Sequence, residues 1–183
     1  TALAKLPLPI YITTGWNRLL EAALDEARRP PIVEFFEWNH TRARRRARVR
    51  EQPTVEHPLV YHLFGHFGDE ESLVLSEDDY FQWLTAWIKQ SSTIPDVVKT
   101  AMTRRSLLFL GYQLDDWDFR AVFQAIKSFE GSEQLRDNVH VGVQLNPESG
   151  MFEPEAAQDY LERFFDNDKV TIFWGETERF LSE

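Results

Sequence analysis

Residues 106–120 read Ser-Leu-Leu-Phe-Leu-Gly-Tyr-Gln-Leu-Asp-Asp-Trp-Asp-Phe-Arg. The run 106–110 is apolar behind its serine and ends at Gly111, the pattern of a parallel strand covered on both faces. Beyond it the spacing turns helical. Phe119, Val122, Phe123 and Ile126 share one face, and Asp115 and Asp116 stand at the amino end, where the helix dipole favours acids. Strand, glycine turn and helix in that order make one β-α unit, and the same alternation recurs on both sides of it.

Towards the amino end, 9–14 reads as a short β-branched strand. The helix after it places Leu20, Ala23, Leu24 and Ala27 at i, i+3, i+4 and i+7, and Pro30 and Pro31 stop it. A second strand is predicted at 32–36, a third at 59–64 closed by Gly65, and a short one at 72–75. Between them, 37–58 carries no clear periodicity and reads as a long loop or a short exposed helix. Ser76 followed by Glu77, Asp78 and Asp79 resembles a capping box, and the helix behind it would put Tyr80, Leu84, Trp87 and Ile88 on one face. Pro95 suits the first turn of a short helix through Met102. Past residue 120 the pattern continues with a strand at 139–143, a helix at 153–166 with Pro154 near its first position, a strand at 170–174 and a helix at 177–181. Trp83, Trp87, Phe119 and Phe123 fall at packing spacing and are expected in the core. The alternation selects an α/β fold, Rossmann-like and doubly wound, with a mainly parallel sheet and helices on both faces. No repeat or linker divides 1–183, so one domain is expected.

Hydrophobic content of 43 % in 183 residues supports a buried core. The absence of cysteine excludes a disulfide framework, a cysteine nucleophile and a Cys-ligated zinc site. No apolar stretch approaches the roughly 20 residues that span a bilayer, and the amino end lacks the apolar core of a signal peptide, so the expected compartment is the cytoplasm. The chain opens without methionine and almost directly on a strand, as an excised domain or processed fragment would.

The net charge of −10 opposes general binding to nucleic acid. One segment runs against it: Arg42, Arg44, Arg45, Arg46, Arg48 and Arg50 lie together with no acid among them, leaving 14 basic against 30 acidic residues elsewhere. Trp38 and His40 nearby could stack on bases. A solvated loop, or a patch that docks on an acidic neighbour, is the preferred reading.

In an open parallel sheet, ligands bind beyond the carboxyl ends of the strands. That rule nominates Thr13, Thr14, Gly15, Trp16 and Asn17 after the first strand, then Gly65, His66 and Phe67, then Gly111, Tyr112, Gln113, Leu114, Asp115 and Asp116, and last Gly175. Glycine at such places permits close approach to a ligand, and it is also ordinary turn chemistry.

Five segments carry a resemblance in matching order: Tyr-Ile-Thr-Thr (11–14), His-Leu-Phe-Gly (62–65), Leu-Val-Leu-Ser-Glu-Asp-Asp-Tyr (73–80), Leu-Phe-Leu-Gly-Tyr-Gln-Leu-Asp-Asp-Trp-Asp-Phe-Arg (108–120) and Phe-Trp-Gly-Glu-Thr-Glu-Arg-Phe-Leu (173–181). Together they resemble bacterial SIR2-like proteins, and 110–117 is the most specific part. The resemblance implies a sirtuin-related domain, whose bacterial members include NAD hydrolases of anti-phage defence, with NAD as substrate or ligand and no metal. Its partners would be other domains or subunits of a larger defence protein.

The same resemblance exposes departures. Its first motif, threonine-threonine-asparagine-x-aspartate, stands here as Thr13, Thr14, Gly15, Trp16 and Asn17, so the water-placing asparagine is a glycine and the aspartate an asparagine. Its histidine-glycine pair stands as Phe64-Gly65. His62 and His66 flank that position and, with Asn17, are the candidates for a relocated catalytic group. The preferred reading makes His62 a half-buried strand residue and His66 a solvated loop residue, because a base must reach its proton. The glycine-rich phosphate loop would precede Thr1, and none of the eight glycines forms such a cluster. Asp115 and Asp116 would repel phosphate from the helix start after Gly111. A catalytically degenerate module that binds a nucleotide or serves assembly is therefore favoured, and an active NAD glycohydrolase is the alternative.

Overall fold

The computed structural model describes residues 2–39, 52–112, 117–129, 138–145 and 154–181. The chain divides into two compact units, 1–101 and 102–183, and the boundary falls inside the helix Asp96–Arg104.

In the first unit the strands β1 (Ile10–Thr13), β2 (Ile32–Phe35) and β3 (Leu59–His62) form a parallel sheet in the order β1-β3-β2. Thr13 of β1 and Phe35 of β2 both lie opposite His62, so the carboxyl ends of all three strands are level. As the central strand, β3 is buried along its whole length. That explains its run of large residues without polar alternation. Helix α1 (Leu19–Glu26) follows β1, and its Leu24 packs with Ala4, Tyr11 and Val60. Arg28 (φ 60°) takes the left-handed conformation after the helix. Arg29 then sends its guanidinium to the carbonyls of Ala4, Leu6, Leu8 and Val55 and to the Tyr11 hydroxyl.

Helix α2 (Glu77–Lys89) has the expected amino end: the Ser76 hydroxyl accepts from the Asp79 amide, and the Asp79 carboxylate accepts from the Ser76 amide. Its buried face is Tyr80, Trp83, Ala86 and Trp87, and Ile88 is exposed, contrary to the spacing-based expectation. The two indoles decide the rotation. Both bury completely and meet Phe36 edge-on, with ring centroids 6.4 and 5.2 Å away. The short strand expected at 72–75 is absent. A 3-10 turn (Glu70–Ser72) occupies its start, and the Val74 amide donates to the Phe64 carbonyl. Helix α3 (Asp96–Arg104) follows.

In the second unit β4 (Leu108–Phe109), β5 (His140–Gln144) and β6 (Val170–Trp174) form a second parallel sheet in the order β4-β5-β6. Helices α4 (Trp117–Lys127), α5 (Pro154–Asp166) and α6 (Thr177–Phe180) accompany it. Its core joins Phe119, Phe123, Leu161, Phe165 and Val170, with Phe109, Tyr112, Ile172 and Trp174 packed against them. Strand β4 is shorter than its apolar run, and Leu108 is partly exposed. The architecture is a Rossmann-type α/β fold with parallel sheets flanked by helices. Among the described residues, no helix is long and apolar enough to cross a membrane.

Candidate functional site

The level carboxyl ends of β1, β2 and β3 bring three segments of the first unit together. His62 ends the central strand, and the chain turns at once through Leu63, Phe64 and Gly65 to His66. Gly65 has no substitute there: its φ is +87°, and a Cβ would run into the backbone of Ser72. The turn is pinned by the His66 amide, which donates to the Ser72 hydroxyl, and by the Phe67 amide, which donates to the Trp16 carbonyl.

His62 and His66 converge on one acid, Glu21 of α1. Both Nε2 atoms face Glu21 Oε1, at 3.2 and 3.0 Å. The other carboxylate oxygen accepts from Arg18 Nε at 3.1 Å. The far nitrogens are also engaged: His62 Nδ1 lies 2.7 Å from the Gly15 carbonyl, and His66 Nδ1 accepts from the Gly68 amide at 2.9 Å. Glu21, His62 and His66 are all buried, at 3 %, 1 % and 9 % exposure. Burial holds His62 below the usual imidazole value, and neighbouring His66 pushes the same way; the Gly15 carbonyl and Glu21 oppose them. The Phe35 ring lies parallel to that of His66, centroids 6.3 Å apart.

The expectation of a solvated His66 is thus corrected: the Ser72 and Gly68 contacts fold it inward onto Glu21. His62 is likewise fully, not half, buried. Glu21 was missed in the sequence. Its only signal is its place one turn before Leu24 on the apolar side of α1, and nothing in the linear pattern pairs it with residues 41 and 45 positions away.

The other candidates separate. Thr13 Oγ1 accepts from the Gly15 amide, and Asn17 Oδ1 accepts from the Leu19 amide at the start of α1. A Cβ at Gly15 would meet Thr13 Oγ1 at 3.3 Å and Asn17 Nδ2 at 3.6 Å, and its φ is not positive, so this glycine is not demanded by the backbone. Thr14 is half-buried beside them. Phe64, at the position of the family's histidine, packs edge-on against Tyr80 and Trp83. Gly111 and Tyr112 belong to the second unit; Gly111 has φ +73°, with no atom of the described residues within 4 Å of an added Cβ, and Tyr112 packs on Phe119. Gln113, Asp115 and Asp116 lie outside the described residues, as do His40 and the Arg42–Arg50 cluster. Trp38 is not a stacking surface: it is buried, and its indole N–H donates to the Ser72 carbonyl at 2.7 Å. At the rim of the site, Trp16 and Phe67 stay open, 38 % and 56 % exposed, with ring centroids 6.2 Å apart.

Parallel strands with their loops and aromatic rim gathered at the carboxyl edge define the class: a Rossmann-type α/β domain, a fold whose ligand sites lie at that edge. The SIR2-like domain family matches residues 9–170, and the chain belongs to it. It is 26 % identical over 125 residues to the NAD(+) hydrolase ThsA of Enterococcus faecium, covering 68 % of this chain and 24 % of that protein. It is 26 % identical over 136 residues to the NAD(+) hydrolase ThsA of Bacillus cereus (strain MSX-D12), covering 73 % and 25 %. The chain therefore matches about a quarter of the length of these relatives.

Proposed function

We propose that this SIR2-like domain is a catalytically degenerate module that binds NAD or a related nucleotide at the carboxyl edge of the first sheet without hydrolysing it, as part of a larger defence protein. The observation that carries this reading is the state of the two histidines. All four of their ring nitrogens already face partners within the chain. A general base needs a nitrogen within hydrogen-bond reach of the water it activates, and both rings are buried with their Nε2 atoms turned onto Glu21. The neighbouring positions agree: Gly15 offers no carboxamide, Asn17 is committed to α1, and Phe64 is an apolar ring.

Binding has its own support. Trp16 and Phe67 offer exposed aromatic faces at the mouth, and a planar base or nicotinamide ring stacks on such faces with little demand on sequence. NAD hydrolysis, with substrate drawing His66 off Glu21, is the alternative reading, supported by the names of the relatives.

The test is a proton NMR time course of NAD mixed with purified chain. Selective broadening of the adenine and nicotinamide signals without free nicotinamide is expected. Nicotinamide released in proportion to protein, and lost in His66→Ala, would replace this reading with the hydrolase. Neither broadening nor product would leave assembly, without a nucleotide, as the role.

A further inference from the structure

The Glu21 cluster has an electrostatic gap that hydrogen bonding inside the chain does not fill. The Gly15 carbonyl can only accept, so the proton of His62 sits on Nδ1. His62 Nε2 then points a lone pair at Glu21 Oε1, itself an acceptor, 3.2 Å away in a buried site. A positive centre has to lie between them, either a shared proton or a metal ion.

The geometry points to the ion: we propose that Glu21 Oε1, His62 Nε2 and His66 Nε2 form a binding site for a divalent transition-metal ion of the zinc class, with water completing the coordination. Bonds of about 2.0–2.1 Å in a tetrahedron separate neighbouring donors by about 3.3 Å. The two donor separations to Glu21, 3.2 and 3.0 Å, are close to that spacing, and one ligand atom from each of the three residues lies within 4.8 Å of the others. Two imidazoles and one carboxylate select zinc-class ions over magnesium or calcium, which prefer oxygen. The Gly15 carbonyl on His62 Nδ1 fixes that ring with its lone pair aimed inward, as such a partner does for metal-bound histidines. Arg18 on Oε2 leaves the other oxygen for the ion.

The proton balance is definite. His66 moves its proton from Nε2 to Nδ1, and the Gly68 amide turns to solvent. That turn is open to it, because Gly68 is exposed. The proton shared by Glu21 and His62 leaves. Capture of one ion therefore releases one proton to the buffer. The site needs no nucleotide and stands whether or not the chain binds NAD.

The experiment uses tag-free, chelator-treated chain titrated with zinc chloride in buffers of different ionisation enthalpy. One equivalent bound at micromolar affinity or tighter, about one proton released per ion, and a raised Tm are expected. Glu21→Gln and His66→Asn should each weaken binding at least tenfold, and His57→Gln, on the exposed loop, should leave it unchanged. Should those variants fail to fold, cobalt(II) on the native chain decides: an intense tetrahedral visible band, together with paramagnetic loss of the His62 and His66 ring signals, supports the site. No uptake by the native chain, uptake indifferent to Glu21→Gln, or cobalt that leaves those two rings untouched would each overturn it and assign the gap to a shared proton.

Discussion

Phe64 meets Trp83 edge to face, with ring centroids 4.9 Å apart and planes at 89°. The position that carries a histidine in the family's motif is here tied into the aromatic cluster of α2, so its side chain contributes packing. Phe64→His removes apolar contact and inserts a polar ring against Trp83 and Tyr80. A loss of about 1–3 kcal/mol is expected, read by chemical denaturation. The single variant should release no nicotinamide, because Gly15 still lacks its carboxamide. Gly15→Asn, which the backbone accommodates, should fold close to native.

Gly65→Ala should be among the most damaging small substitutions in the first unit. The added methyl collides with the Ser72 backbone, and φ is positive. Strain and displaced backbone together give an expected cost of about 3 kcal/mol or more, visible as a large Tm drop. A Tm within a few degrees of native would contradict the turn as described.

Trp38→Phe tests the strut that supports this turn from below. It removes a buried indole hydrogen bond to the Ser72 carbonyl and costs about 1–3 kcal/mol. Hydrogen exchange should speed up at the His66 amide, which is held by the Ser72 hydroxyl. Exchange unchanged there would separate Trp38 from the turn.

Burial raises the carboxyl of Glu34 above the ordinary value, and Glu37 adds to the effect. A carboxyl raised in the folded state contributes stability that is fully present below the unfolded pKa and is lost as pH rises through the folded value. Ionised Glu34 is thus a liability at neutral pH. Glu34→Gln should raise the Tm at pH 7–8, and its advantage should shrink as pH falls towards the ordinary carboxyl range. An advantage that grows on acidification would reverse the sign of this argument.

Trp16→Ala should weaken ADP-ribose or NAD binding by about tenfold, since base stacking on an aromatic ring is worth roughly 1–3 kcal/mol. Trp16 is partly exposed, so stability should change little. Fluorescence titration of the variant against the native chain measures it, and equal affinities would remove Trp16 from the ligand contact.

The sequence made much of the fold legible because local chemistry and final structure agree there. Strand β6 falls on 170–174 as expected, and Ser76 and Asp79 form the reciprocal cap that their spacing implies. Legibility failed where tertiary packing outvotes local pattern. Trp83 and Trp87 turn α2 far enough to leave Ile88 in solvent, and Ser72 gives its carbonyl to Trp38 in a 3-10 turn where a strand was expected. The candidate site was half legible. The carboxyl ends of parallel strands pointed to residues 13–17 and 65–67 and the family resemblance to His62 and His66, but the acid that joins the two histidines sits on a helix, and only the folded arrangement reveals it.

Arg29 has a consequence for where the domain may be cut. The family match begins at residue 9, yet three of the carbonyls that Arg29 holds belong to Ala4, Leu6 and Leu8. A fragment trimmed to the start of homology would keep every strand and lose most of the acceptors around a guanidinium packed at the end of α1. The working amino-terminal border of this domain therefore lies upstream of its homology border, and fragments prepared for the measurements above should retain residues 2–8.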